Sequence, residues 1–233
     1  AEAKLKLTER GEVIIRFVRP TSIYFPELSA FLSVDKVVND TVTAYANETG
    51  FARFLEYGIP FDVVDPPSLQ KAKALKITGD FQTDLSYPSY QEYLDRMEAF
   101  AEDYPQICTL EEFGRSVNNR SLLALKISDH PDTDEKEPVV FYTSTMHGDE
   151  TPGYIILLEL IGHILSGYND NESIKAIVDN AVIWINPLAN PDGTYFLSDL
   201  SPDGATRFNA NHVDLNRDIP AVTGNESQPR QTE

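Results

Sequence analysis

The stretch PVVFYTSTMHGDETPGYIILLELIGHIL, residues 138 to 165, decides the fold. It begins with Pro138 to Thr145, an apolar run rich in β-branched and aromatic residues, which predicts a strand buried on both faces. The polar group His147-Gly148-Asp149-Glu150 comes next. A nearly all-apolar run from Tyr154 to Leu165 then predicts a helix. A strand that passes through a short polar turn into a helix is typical of an α/β sheet.

Elements on either side of this stretch extend the predicted sheet. Downstream, a second helix over about 172–179 precedes another buried strand, AVIWIN at 181–186. Upstream, Ile107 to Phe113 and Leu122 to Ile127 predict a hairpin that turns at Asn118-Asn119. The hairpin followed by strand, helix, helix and strand predicts an α/β fold in which helices cover both faces of a mixed sheet.

A smaller unit is predicted before this domain. Strands are expected at 12–18, 34–38, 41–46 and 60–64, and helices at 21–32 and 47–57. The order βαββαβ is that of the ferredoxin-like, split-βαβ fold. After Asp65-Pro66-Pro67, the Lys- and Ala-rich residues 70–76 predict a linker. We therefore expect a ferredoxin-like α+β domain over residues 1–76 and an α/β domain over 77–233.

Composition excludes several classes of partner. Asp and Glu outnumber Lys and Arg by 37 to 19, which gives a net charge of -18. Such a chain repels nucleic acids and anionic membranes unless its cations cluster, and the sequence contains no Lys/Arg run. The apolar run Tyr154 to Leu165 is too short to span a bilayer. Cys108 is the single cysteine, so we expect no internal disulfide and interpret Cys108 as a small buried hydrophobe.

His147 and Glu150 are candidate metal ligands. They lie three residues apart just after a predicted strand, where ligands of open α/β sheets bind. An imidazole and a carboxylate that converge on one cation suit zinc. The alternative is an ordinary helix start, in which Asp149 and Glu150 favour the positive end of the helix dipole.

Two arginines follow a second polar loop. After the buried strand that ends at Asn186, the sequence NPLANPDG indicates a tightly turned loop. Arg207 then lies in RFNAN, and Arg217 follows Asn216 in VDLNR. These arginines either form ordinary surface ion pairs or provide guanidinium groups that bind a carboxylate with two parallel hydrogen bonds.

The four elements HGDE, NPDG, RFNAN and VDLNR occur in the order found in the zinc metallocarboxypeptidases of the funnelin family, which residues 83–220 resemble. The resemblance implies that His147 and Glu150 are the first two ligands of one Zn²⁺ per complete catalytic domain. Arg207 would polarise the scissile carbonyl. Asn216 and Arg217 would bind the C-terminal carboxylate of a peptide or protein substrate.

The N-terminal unit is similar to the pro-domain of secreted members of this family, with FLEYGIPF at 54–61 at its last helix and strand. The resemblance therefore implies a secreted or periplasmic enzyme. Whether this unit is a removable inhibitor or a permanent module stays open. The Lys-rich residues 71–76 would permit cleavage by a trypsin-like protease.

The sequence departs from the family pattern at several positions. The family's third zinc ligand and general base lie beyond the Asn-Arg pair, but only 16 residues follow Arg217 and none is His, so we expect the front part of a longer catalytic domain. We interpret His130, His163 and His212 as structural or exposed. Asp149 replaces an arginine of the digestive members, and Asp218 follows Arg217 where the family usually has Asn.

Three alternatives remain open. One is a hydrolase of peptidoglycan stem peptides or of small amides on the same zinc scaffold. Another is an inactive member that binds C-terminal peptides through Arg207 and Arg217 without turnover. The third is an unrelated α/β binding domain.

Overall fold

The computed structural model describes residues 2–69, 75–76, 84–133 and 135–217. Residues 13–64 form the predicted βαββαβ unit, whose antiparallel sheet has the order β2-β3-β1-β4. A helix that the sequence did not predict, α1, precedes it. The elements of this part are α1 (Glu2–Arg10), β1 (Val13–Val18), α2 (Phe25–Ser29), β2 (Ser33–Val38), β3 (Thr41–Ala46), α3 (Glu48–Glu56) and β4 (Phe61–Val64).

Local sequence signals explain the turns and helix ends of this unit. Asn39 and Asp40 adopt the positive φ angles, 47° and 62°, that the turn between β2 and β3 requires. The side chain of Asn47 caps α3 by accepting a hydrogen bond from the backbone N–H of Gly50 at 2.9 Å. The helix predicted over 21–32 is shorter, since Pro26 lies in the first turn of α2, where a missing N–H breaks no helical bond.

The second part is built on a mixed sheet with the order β7-β8-β10-β9. β9 and β10 run parallel, while the other two pairs are antiparallel. The predicted hairpin turn at Asn118-Asn119 is confirmed, with Asn119 at a φ of 65°. The elements are β5 (Leu75–Lys76), β6 (Asp84–Leu85), α4 (Tyr90–Asp103), β7 (Cys108–Arg115), β8 (Ser121–Ile127), β9 (Val139–Thr143), α5 (Pro152–Gly167), α6 (Glu172–Val178), β10 (Val182–Asn186) and α7 (Pro191–Thr194).

Helices α4 and α5 pack with this sheet in one hydrophobic core. Met97 of α4 and Leu158 of α5 are fully buried together with Leu125 and Ile185 of the sheet. Cys108 also lies in this core and is 1% exposed, which confirms its role as a small buried hydrophobe. Burial raises the pKa of its thiol to about 12. A thiol in this environment is unreactive.

Among the described residues, the burial predicted for residues 138–145 is not observed over β9, although Thr145, just beyond it, is buried. These residues do form a strand, β9, but Val139 is 65% exposed and Phe141 is 57% exposed. β9 is the last strand in the sheet order and pairs only with β10 among the described residues. A continuous apolar run predicts a strand with both faces covered, whereas among the described residues the side chains on both faces of β9 are exposed.

The parallel pair β9 and β10 positions the polar loops. Thr143 and Asn186 are partners at the carboxyl ends of the two strands, so the loops that follow them begin side by side. The loops approach so closely at Gly148 that an added Cβ atom would lie 2.3 Å from the carbonyl carbon of Gly193. Glycine is therefore required at position 148.

Some expectations fall outside the described residues. The predicted linker, residues 70–76, lies outside the described residues except for Leu75–Lys76, which pair with Asp84–Leu85. Residue 77, where the second domain is expected to begin, also lies outside them. Thr83 and Asp218 are also outside the described residues. Within the described ranges, no helix combines the length and apolar character needed to cross a membrane.

Candidate functional site

His147 and Glu150 meet at the carboxyl end of β9. Nδ1 of His147 lies 3.0 Å from Oε1 of Glu150, so the two atoms face each other across the turn that leads into α5. The His147 side chain is 8% exposed, whereas that of Glu150 is 57% exposed. One donor atom is thus fixed inside the protein and the other is accessible. This spacing lets both atoms bind one cation.

Asp214 orients the His147 ring from the opposite side. Its Oδ1 atom lies 3.1 Å from Nε2 of His147. Burial alone would lower the pKa of His147, but the hydrogen bonds with Asp214 and Glu150 outweigh it and raise the pKa to about 9. The pKa of Asp214 falls to about 2, because its bond to His147 overcomes the effect of burial. Asp214 was not among the site residues predicted from the sequence, although it lies in VDLNR.

The positively charged guanidinium of Arg207 contacts the carboxylate of Glu150. Its Nη1 atom donates to Oε1 of Glu150 at 2.8 Å, and its Nε atom donates to Oγ of Ser33 at 2.6 Å. The guanidinium also lies over the Tyr45 ring, 5.1 Å from its centroid. The pKa of Glu150 is lowered to about 2, mainly by its hydrogen bond with His147. Arg207 adds to this effect.

The N-terminal unit lies directly against the site. The Tyr45 hydroxyl donates to Oδ2 of Asp149 at 2.7 Å, and Oε2 of Glu12 accepts from the Arg207 backbone N–H at 2.8 Å. We call this contact surface the seam. Glu12 is 2% exposed. Burial, reinforced by the charge of Asp149, raises the pKa of Glu12 to about 7.

Asn216 and Arg217 lie in a short 3₁₀ helix, Leu215–Arg217, that is tied to the site through Asp214. The backbone N–H of Asn216 donates to Oδ1 of Asp214 at 2.9 Å, and that of Arg217 donates to the Asp214 carbonyl at 2.9 Å. Arg217 lines a cavity of about 470 Å³ along the seam. The structure therefore brings His147, Glu150 and Arg207 into contact, with Asn216 and Arg217 beside them.

The donor atoms of His147 and Glu150 are suited to two of the ligand positions of a zinc ion. His147 and Glu150 supply nitrogen and oxygen at one point, and Asp214 holds the second ring nitrogen, as metal-binding histidines require. The group of three potential ligands found in the described residues lies elsewhere, at Asp129, His130 and Glu135 on an acidic loop. The His130 side chain is 62% exposed, which agrees with its interpretation as a surface residue.

The NPDG loop has a buried charge that the sequence analysis did not single out. Asp192 is 1% exposed and accepts hydrogen bonds from Nη1 of Arg120 and Oγ of Ser116, both at 2.8 Å. The backbone N–H of Asn118 donates to the same carboxylate at 2.8 Å. This network fixes the loop to the hairpin turn between β7 and β8. Its role is structural.

Solved structures with the same fold include carboxypeptidase A from Helicoverpa armigera. The match covers 94% of this chain and 60% of that one, with a TM-score of 0.59 and 24% identity. Thrombin activatable fibrinolysis inhibitor matches over 92% of this chain and 60% of its own, with a TM-score of 0.55 and 16% identity. At these identities the likeness shows the fold alone.

Similar sequences are found among carboxypeptidases of bacteria and mammals. A zinc carboxypeptidase of Saccharothrix mutabilis subsp. capreolus is 37% identical over 120 residues, which are 51% of this chain and 28% of that protein. Mouse carboxypeptidase M is 37% identical over 145 residues, 59% of this chain and 32% of that protein. The chain thus spans about a third or less of the length of these relatives. The family model for zinc carboxypeptidases matches residues 93–233, more than half of the sequence. The chain therefore belongs to the zinc carboxypeptidase family.

Proposed function

We propose that this chain is part of a zinc-dependent metallocarboxypeptidase that removes the C-terminal residue of peptides or proteins. The observation that carries the proposal is the convergence of Nδ1 of His147 and Oε1 of Glu150, 3.0 Å apart, with Nη1 of Arg207 2.8 Å from the same oxygen. Two ligands and a cation aimed at one point are three of the groups that metal-assisted peptide hydrolysis needs.

Each residue of the site has a role in this proposal. His147 and Glu150 would hold the zinc ion, which when bound supplies an activated water and polarises the scissile carbonyl. Asp214 accepts a hydrogen bond from Nε2–H of His147, which keeps the proton on Nε2, so that Nδ1 presents its lone pair to the ion. Arg207 would stabilise the negative charge that develops on the carbonyl oxygen. Asn216 and Arg217 would bind the C-terminal carboxylate and orient the substrate.

We also propose that residues 1–76 form a module that covers the site, followed by the catalytic domain from residue 77. The seam supports this assignment, because Ser33 of the N-terminal unit holds Arg207 and Tyr45 holds Asp149. A secreted or periplasmic location is part of the same proposal. It is supported by the similarity of this unit to the pro-domains of secreted carboxypeptidases.

Zinc binding tests the proposal. We expect zinc affinity, measured by competition with a chromogenic chelator, to fall at least tenfold in His147→Ala and Glu150→Gln and to stay unchanged in His163→Ala, whose side chain lies on the exposed surface of α5. Release of C-terminal residues from peptides is measured in parallel, on this chain and on any longer form of the protein that contains it.

The zinc experiment also separates the alternatives. Zinc binding with release of a C-terminal residue supports the carboxypeptidase, and cleavage of stem peptides or small amides instead supports the related hydrolase. Peptide binding that depends on Arg217, without zinc or turnover, supports the inactive peptide-binding member. Zinc binding that His147→Ala leaves unchanged would contradict the assigned ligands.

A further inference from the structure

Three side chains converge on one point of the loop between β8 and β9, which the proposed carboxypeptidase function does not use. Nδ1 of His130 lies 3.3 Å from Oδ2 of Asp129 and 3.4 Å from Oε2 of Glu135. The ligand atoms of the three residues all lie within 4.8 Å of one another. The side chains of His130, Asp129 and Glu135 are 62%, 22% and 35% exposed, respectively. An ion from solution can therefore reach them without any opening of the fold.

The two separations from His130 match the spacing of ligands around a tetrahedral ion. Zinc bonds to nitrogen and to carboxylate oxygen are about 2.0–2.1 Å long, which places neighbouring ligands of a tetrahedron about 3.3–3.4 Å apart. Hydrogen bonds between such atoms are normally shorter, about 2.7–3.2 Å. Glu135 is partly exposed on the loop, so rotation of its side chain can bring its oxygen to the same distance from Asp129.

Negative charge accumulates around these ligands. Glu137 of the same loop has an Oε2 atom that is inaccessible to solvent and lacks a hydrogen-bond partner in the part of the chain that the structure describes. Burial, reinforced by the charges of Glu135 and Asp129, raises the pKa of Glu137. A divalent cation held by the neighbouring carboxylates would offset this repulsion, because it is the largest local charge wherever it binds.

Contacts with the surrounding elements hold the ligands in position. The backbone N–H of Asp129 donates to the carbonyl of Val178, which is fully buried at the end of α6, at 3.3 Å. Nζ of Lys126 on β8 donates to the carbonyl of Pro131 at 2.6 Å. His130 lies between these two anchor points in the chain. Ligands that are already positioned lose less conformational entropy when an ion binds.

We propose that Asp129, His130 and Glu135 form a metal site, separate from that of His147 and Glu150, which binds a divalent transition-metal ion of the zinc class. The imidazole nitrogen favours such an ion over Ca²⁺ and Mg²⁺, which take oxygen ligands. The two carboxylates balance the charge of the ion, and three protein ligands leave the fourth tetrahedral position to water. The site does not depend on the proposed carboxypeptidase function.

Zinc binding to variants of the full chain tests this inference. Each metal site is measured in a variant that lacks the other, so the loop site is titrated by calorimetry in His147→Ala. We expect this variant to bind about one Zn²⁺, and the further changes His130→Gln and Glu135→Gln to weaken that binding by about tenfold or more. Asp132→Asn is the matched control, because Asp132 is an exposed carboxylate of the same loop outside the group of three. It should change the affinity less than about twofold.

Cobalt provides a second measurement, which reports coordination geometry. Tetrahedral Co²⁺ absorbs visible light much more strongly than octahedral Co²⁺, so we expect Co²⁺ added to His147→Ala to give the tetrahedral spectrum and His130→Gln to abolish it. Ca²⁺ in about hundredfold excess should not displace Zn²⁺, because the nitrogen ligand does not suit it. Circular dichroism verifies that His147→Ala is folded, and Glu150→Gln takes its place if it is not.

The outcomes separate this inference from the proposed function. Absence of zinc binding to folded His147→Ala would overturn the loop site, and so would binding that His130→Gln leaves unchanged. Equal losses in Glu135→Gln and Asp132→Asn would overturn it as well, since binding would then reflect only the charge of the loop. The proposed function is judged in His130→Gln, where zinc binding that depends on His147 supports it whatever the result at the loop.

Discussion

Nε2 of His147 and Oδ1 of Asp214 lie 3.1 Å apart, although 67 residues separate them in the sequence. The bond fixes the ring so that Nδ1 faces Glu150. We predict that Asp214→Asn weakens zinc binding by about 10- to 100-fold, because the amide no longer accepts as a carboxylate does. Chelator competition measures the loss, with Asp62→Asn as control, because Asp62 lies on β4 and its side chain is 77% exposed. Equal affinity in the two variants would show that Asp214 does not orient His147.

Glu12 makes stability depend on pH. Burial raises its pKa from 4.5 to about 7, so the folded protein holds a proton that the unfolded chain has released. The free energy of unfolding therefore falls as the pH rises from about 4.5 to about 7, by up to about 1.4 kcal/mol per pH unit from this group. Urea unfolding across this range should show the slope.

The matched variants for this prediction are Glu12→Gln and Glu111→Gln. Glu12→Gln should remove the part of the slope that belongs to Glu12, because glutamine does not titrate. Glu111 is exposed on β7, so its replacement should leave the slope as it is in the unmodified chain. A Glu12→Gln curve parallel to that of the unmodified chain would mean that Glu12 is ionised throughout.

Gly11 tests how closely the two units fit. Its φ is +69°, and an added Cβ atom would lie 2.1 Å from the ring of His212. We predict that Gly11→Ala lowers the free energy of unfolding by about 1–3 kcal/mol, of which about 1–2 kcal/mol is backbone strain and the rest is the cost of displacing the exposed ring of His212. Gly58→Ala is the matched control, because Gly58 has a φ of +62° and no atom within 4 Å of the added Cβ.

A double variant separates the two effects at Gly11. Gly58→Ala should cost about 1–2 kcal/mol, the strain term alone. Adding His212→Ala to Gly11→Ala removes the ring and should recover the stability that Gly11→Ala loses beyond Gly58→Ala. If the double variant is no more stable than expected from adding the two single effects, the ring does not press on Gly11.

The features that could be predicted from the sequence are those that depend on residues close together in the chain. The cap at Asn47, the hairpin turn at Asn119 and the His147-x-x-Glu150 pair each depend on neighbours in the chain, and the structure contains all three. The burial predicted for β9 is not observed among the described residues, since an apolar run does not say which segments cover it or pair with it. The position of a strand in its sheet is set by distant segments.

The missed site contacts have the same physical cause. The bonds of Asp214 to His147, of Tyr45 to Asp149 and of Glu12 to Arg207 join residues 67, 104 and 195 positions apart. No periodicity or spacing encodes such pairs in a single sequence. The family resemblance identified site residues within the motifs, but the contacts across the seam became visible only in the structure.

Arg120 offers the clearest comparison between a buried and an exposed ion pair. It binds Asp192, whose side chain is inaccessible to solvent, and Asp199, whose side chain is 64% exposed, each at 2.8 Å. We predict that Asp192→Ala lowers the free energy of unfolding by about 3–5 kcal/mol, because it leaves Arg120 and the Ser116 hydroxyl without their buried partner. Asp199→Ala should cost less than about 1 kcal/mol, because water replaces an exposed carboxylate. Thermal and urea unfolding of the two variants measure the difference. Equal losses would mean that Asp192 is hydrated in solution and that the NPDG loop is not fixed by its charge.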